Sequence, residues 1–159
     1  MFRVNYWIHK GAPRSKLVVG IPTYGRSWTL SSSLKSPGSP ASGGGTAGVI
    51  TQASGMLGYN EICLLVKNNG WSVIQDRTRK MGPYAVKGNQ WVGYDDPAIV
   101  SLKAKYIIDN ELGGAMFWDL STDDFGNHCG EGKYPIVTAV KRVLGSSNFS
   151  GNKIHYQIN

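Results

Sequence analysis

Two short segments bring together side chains suited to gripping a neutral, ring-shaped ligand. Leu112-Gly113-Gly114-Ala115-Met116-Phe117-Trp118-Asp119-Leu120 is an apolar run that ends on an indole and then turns polar. Upstream, Lys16-Leu17-Val18-Val19-Gly20-Ile21 runs into Pro22-Thr23-Tyr24-Gly25-Arg26-Ser27-Trp28, which sets aromatic and cationic groups at the end of a second apolar run. A flat indole buries the CH face of a pyranose without asking the ring for hydrogen bonds. Parallel strands presenting Tyr24, Arg26, Trp118 and Asp119 at one rim imply a sugar-binding mouth.

Other chemistries find less support. The formal charge is +7, but lysines and arginines are scattered singly and Arg77-Thr78-Arg79-Lys80 is the one local cluster, so a nucleic-acid groove is not expected. His9, His128 and His155 lack metal-ligand spacing, and no cofactor motif closes the glycine-rich stretch at Gly43-Gly44-Gly45. Asp95-Asp96 and Asp123-Asp124 read as a helix cap and a polar loop, not as an acid-base couple. No apolar run approaches the roughly 20 residues needed to span a bilayer, so no membrane partner is expected. Cys63 and Cys129 form either one disulfide or two free thiols. Asn148-Phe149-Ser150 is a glycosylation triplet in a polar tail.

The elements that must position these residues follow from periodicity and punctuation. With 159 residues, 41% of them hydrophobic, the chain has material for one ordinary core. Val4, Trp7 and Ile8 recur at helical spacing, so the chain opens within a helix. A strand is expected over Lys16 to Ile21 and a loop over Ser31 to Gly48, where large apolar side chains are few. A helix is expected between Gly58 and Gly70, then β segments at Trp71 to Gln75, Tyr84 to Lys87 and Gln90 to Tyr94, the last two joined by a Gly88-Asn89 turn. Asp96 and Pro97 start a helix to about Asn110; Ala115 to Trp118 is a strand; a last helix runs from Pro135 to Gly145, before a mobile tail. Strand-helix-strand-helix order argues for parallel strands in an α/β fold.

Four segments carry a resemblance: Ser15 to Trp28, Leu57-Gly58-Tyr59-Asn60-Glu61-Ile62-Cys63, Gly88 to Asp96, and Gly113 to Trp118. In this order and spacing they resemble the carboxyl-terminal third of animal chitinases of glycoside hydrolase family 18, over nearly the whole chain. The resemblance implies the last two strands of a (β/α)8 barrel with a small α+β insertion. On that division, residues 1–30 hold the end of barrel helix 6 and strand 7, 31–94 the loop and insertion, 95–145 helix 7, strand 8 and helix 8, and 146–159 a flexible tail. Active sites of such barrels lie at the carboxyl ends of the strands.

By the same resemblance Trp118 floors the groove under a sugar, Met116 is its neighbour, Tyr24 and Arg26 are polar groove residues, and Met56 faces the bound chain from the insertion. The expected ligand is chitin or chito-oligosaccharide. Cys63 and Cys129 match a family pair that tethers the insertion to the loop after the eighth strand, which implies a disulfide and an extracellular location. Ala53 stands where some vertebrate members carry a groove-facing glutamate. The family's Asp-x-x-Asp-x-Asp-x-Glu signature does not occur in this sequence, nor does its Met-x-Tyr-Asp segment. Family members protonate the leaving oxygen with that glutamate while the substrate's acetamido oxygen attacks, so no catalytic residue is expected among these 159 and the barrel's amino-terminal half is expected to be missing. A non-catalytic chitinase-like lectin as parent would share every motif present.

Overall fold

Asp96 and Pro97 illustrate how local chemistry sets the frame. The Asp96 carboxylate accepts the Ile99 amide at 2.8 Å, and Pro97 opens helix α3 (Pro97–Asp109) where a surplus donor would otherwise stand free. The computed structural model describes residues 2–146. Before α3 come helix α1 (Phe2–His9), strands β1 (Val18–Pro22), β2 (Tyr24–Leu30), β3 (Ala41–Gly44) and β4 (Met56–Gly58), helix α2 (Tyr59–Asn68), and strands β5 (Ser72–Ile74), β6 (Tyr84–Lys87) and β7 (Gln90–Gly93). After it come strand β8 (Gly114–Trp118) and helix α4 (Pro135–Gly145).

The fold is α/β, with two separate sheets. β1 and β8 pair in parallel, Val18 opposite Gly114 through Pro22 opposite Trp118. Alternation sends Ile21, Ala115 and Phe117 toward α3 and α4, where Val100, Ala104, Ile107, Ile136 and Val140 complete a sealed core. The opposite face carries Val18, Gly20, Met116 and Trp118, and Val18 is 44% exposed. Val4 and Ile8 of α1 pack onto this core, whereas Trp7, expected on the same face, is 56% exposed and meets Tyr6 edge to face.

The second sheet is antiparallel, in the order β3-β2-β7-β6-β5, with β4 also pairing β2. β6 and β7 meet through the Gly88-Asn89 turn, Lys87 opposite Gln90. Leu57, Ile62, Ala85 and Val92 form its small core, covered by α2. Residues 24–30, expected to belong with the strand before them, pair instead with β3, β4 and β7 and are the centre of this sheet. Gly25 makes that possible, since a Cβ there would lie 2.7 Å from Val92 Cγ2 and 2.8 Å from Ile62 Cδ1. β3 likewise lies inside the stretch expected to be a loop; its residues are all exposed, so pairing to Trp28, Thr29 and Leu30, helped by the Thr29 and Ser42 hydroxyls, defines it and not packing.

Cys63 of α2 and Cys129 after β8 form a disulfide, Cα to Cα 6.0 Å, that ties the two sheets' regions together. No described helix is long and apolar enough to cross a membrane. Asn148 and the tail from residue 147 lie outside the described residues.

Candidate functional site

β8 ends with Met116 and Trp118 on the face opposite the core, and Trp118 keeps 45% of its surface exposed. This indole is therefore no part of a sealed interior. Its carbonyl accepts the Thr23 amide at 3.1 Å, which places the start of β2 directly beside it. Thr23 is buried, and its hydroxyl also meets the Asp119 carbonyl and, at 2.7 Å, the Thr122 hydroxyl. Asp119 follows Trp118 through a cis peptide bond and caps the short turn Leu120–Thr122.

From Thr23 the chain enters β2 and presents Tyr24, Arg26 and Trp28 on the face away from α2. The Arg26 guanidinium lies over the Tyr24 ring, 5.1 Å from its centroid, a cation-π pair that fixes both side chains. Met56 of β4 stands opposite Arg26 in the register. Tyr24, Arg26 and Met56 thus gather on the antiparallel sheet, and Met116 and Trp118 on the parallel one, with Thr23 as the joint. A cavity of about 370 Å³ is lined by Tyr24, Arg26, Met81, Tyr84, Trp91 and Tyr94, among others; Met56, Met116 and Trp118 stand apart from its walls.

The carboxylates have structural work. Asp123 and Asp124 lie in the loop after β8, as expected, and are wholly buried. Asp123 accepts the amides of Asp124 at 2.9 Å, Ile136 at 3.4 Å and Val137 at 3.1 Å, so it caps α4 from outside the helix. Burial raises its pKa, against the pull of those amides. Asp124 accepts the amides of His128 and Cys129, each at 2.9 Å. Asp95 is buried and pairs with Lys103. Glu61, 4% exposed, accepts the amides of Ile50, Thr51 and Gly58. Glu131 accepts the Tyr59 hydroxyl at 2.9 Å; burial first, and this bond second, push that phenol well above its ordinary value. Burial and nearby Asp96 push Tyr94 up to about 12. Glu111 follows α3, where helical structure ends.

Cys63, Cys129 and Asp124 bring ligand-type atoms within 4.8 Å of one another. Both sulfurs are joined to each other and the carboxylate already holds two amides, so this cluster is a covalent clasp with its support.

The arrangement suits recognition of sugar faces, by aromatic planes with a cationic edge. The profile for glycosyl hydrolases family 18 matches residues 1–123. The chain belongs to that family. Human chitinase-3-like protein 2 is 53% identical over 146 residues, which is 91% of this chain and 37% of that protein. Among solved structures, catalytic domain 2 of the group II chitinase of Ostrinia furnacalis superposes with a TM-score of 0.89 at 45% identity, covering 93% of this chain and 39% of that one. Human YKL-39, described as a pseudo-chitinase with retained chitooligosaccharide binding properties, gives 0.85 at 52% identity, covering 90% and 39%. The chain thus spans less than two fifths of each of these three family members.

Sequence reading passed over Trp91, Tyr84 and the outward register of Trp28. The period-two run Tyr24-x-Arg26-x-Trp28 was the signal available for the last.

Proposed function

We propose that this chain is the carboxyl-terminal part of a family 18 chitinase or chitinase-like protein, and that it carries one wall of a groove for chito-oligosaccharides. The carrying observation is the exposed Trp118 at the end of β8, hydrogen-bonded through its carbonyl to the residue that begins β2. On this reading Trp118 floors the groove beside Met116, while Tyr24, Arg26 and Met56 contact the bound chain from the antiparallel sheet. β1 and β8 are then the last two strands of a barrel whose remaining strands pair with their free edges, residues 31–94 are an insertion, and the face bearing Val18 turns to the barrel's interior. The disulfide supports an extracellular, oxidising location for the parent.

No glutamate among the described residues stands at a strand end in the manner the family's proton donor requires; Glu61 is engaged with three backbone amides and Glu131 with Tyr59. The chain by itself therefore binds and does not hydrolyse. The likeness to human YKL-39 also supports a second reading, a parent that binds without cleaving. A terminal glutamate in the Asp-x-x-Asp-x-Asp-x-Glu signature of the parent would favour the enzyme, and a neutral residue there the lectin.

Titrating the 159-residue chain with chitotetraose tests the binding claim. Trp118→Ala should weaken it by about 1–2 kcal/mol, roughly tenfold, for the loss of one stacked indole. Unchanged affinity in the variant, or hydrolysis of a fluorogenic chitobioside by the wild-type chain, overturns the reading.

A further inference from the structure

We propose that the cleft between Trp28 and the loop at residues 36–39 is an additional sugar-binding site, which takes the continuation of a chito-oligosaccharide chain beyond Tyr24 and Arg26. The inference rests on the groove reading above and extends it across the face of the antiparallel sheet.

β2 turns Tyr24, Arg26 and Trp28 to one side, and the register sets Trp91 of β7 opposite Trp28. Trp91 is held from two directions. Its ring stacks on Tyr84, with centroids 5.4 Å apart and planes 23° from parallel, and its Nε1 donates to the Lys35 carbonyl at 3.2 Å. That second bond draws the following loop up beside the indoles. The result is a cavity of about 320 Å³ walled by Trp28, Leu30, Pro37, Ser39 and Trp91. Pro37 and Trp91 also line the cavity of about 370 Å³ that holds Tyr24 and Arg26, so the two spaces adjoin.

Both volumes lie in the range of small-molecule sites, roughly 300–1,000 Å³. Tyr24 and Trp28 are four residues apart on one strand, about 13 Å at ordinary strand rise, so a ligand laid along β2 meets a second aromatic plane after the first. Core packing does not explain Trp28. The sheet's core lies on its other side, with Leu57, Ile62, Ala85 and Val92, and Trp28 keeps 46% of its surface exposed. Flat indoles beside a small-residue loop suit a neutral pyranose ring, which offers apolar faces and hydroxyl edges together.

Comparing a trisaccharide with a hexasaccharide of the same sugar tests the site in the full chain. Trp28→Thr, whose β-branched side chain keeps the strand, should weaken the hexasaccharide by roughly fivefold and leave the trisaccharide unchanged, and Trp28→Phe should restore most of the loss. In the wild-type chain the indole resonance of Trp28, which lines the second cavity and not the first, should shift with the hexasaccharide and not with the trisaccharide, a readout independent of any variant's folding. Hexasaccharide binding that leaves the Trp28 resonance in place, or that is equal in wild type and Trp28→Thr, overturns this inference alone. A wild-type chain that binds neither sugar overturns the groove reading with it.

Discussion

Glu61 offers the most direct test of how α2 and β4 are held together. Its carboxylate is 4% exposed and accepts the Ile50 amide at 2.7 Å, Thr51 at 3.1 Å and Gly58 at 2.9 Å. One side chain thus caps α2, fixes the end of β4 and pins the 48–51 turn. The Gly58 bond is buried and the other two are partly so. Leaving a buried amide unpaired costs about 2 kcal/mol, and each partly buried amide, which water can reach, about 1 kcal/mol. Relief of the carboxylate's desolvation offsets part of this, so Glu61→Ala should destabilise the chain by about 2–4 kcal/mol. A second perturbation reaches the same bonds from the other side: a Cβ on Gly48 would sit 2.1 Å from Oε1 and 2.7 Å from Oε2 of Glu61. Gly48→Ala must therefore expel the carboxylate from its three donors and approach the loss of Glu61→Ala. The double variant should cost little more than Glu61→Ala alone, because the methyl group then has nothing to displace. Urea unfolding with an unchanged m-value measures all three. Additive losses in the double variant, or a Glu61→Ala loss under 0.5 kcal/mol, would refute the reasoning.

Reduction of Cys63–Cys129, or its replacement by a serine pair, should lower stability by about 4 kcal/mol in the chain-entropy model, given a sequence separation of 66. A urea midpoint that does not move on adding reductant would contradict this. The turn at residues 76–81 should loosen in acid, because Asp76 accepts the Thr78 hydroxyl and the amides of Thr78, Lys80 and Met81, bonds that lower its pKa from 3.8 to about 2. A depressed carboxyl stabilises the fold above its unfolded pKa and ceases to do so as pH falls through the folded one, so amide protection at Thr78, Lys80 and Met81 should fade between about pH 4 and pH 2. Protection that persists at pH 2 would sink that assignment.

The helices and the β6–β7 hairpin were legible because their signals are local. Asp96 and Pro97 start α3 wherever α3 packs, and Gly88-Asn89 turns the hairpin with two residues. β2 was hidden for a physical reason. Its inward side carries Gly25, Ser27 and Thr29 while its outward side carries Tyr24, Arg26 and Trp28, the inverse of the usual apolar-in pattern. Small inward residues are needed because Val92 and Ile62 press against the strand, a tertiary demand that no window of sequence contains. Asp123 and Asp124 stand in the polar loop the sequence implies, but their burial was not legible, because the five backbone amides that hold them in the interior come from their own loop and from the start of α4.

The candidate site was legible as one rim of aromatic and cationic groups but not as the meeting of two sheets, because their union depends on residues with no chemistry of their own. Thr23 donates its amide to Trp118 and accepts the Tyr59 amide at 2.9 Å through its carbonyl, while Asn60 donates to the Ser121 carbonyl at 3.2 Å. These bonds cross between the two sheets at the point where aromatic side chains leave each of them. Rotation of one sheet against the other would break them together, so the spacing between Trp118 and Tyr24 is set by a buried polar joint and not by the aromatics. A wall built this way can change the side chains it presents without disturbing the geometry that presents them.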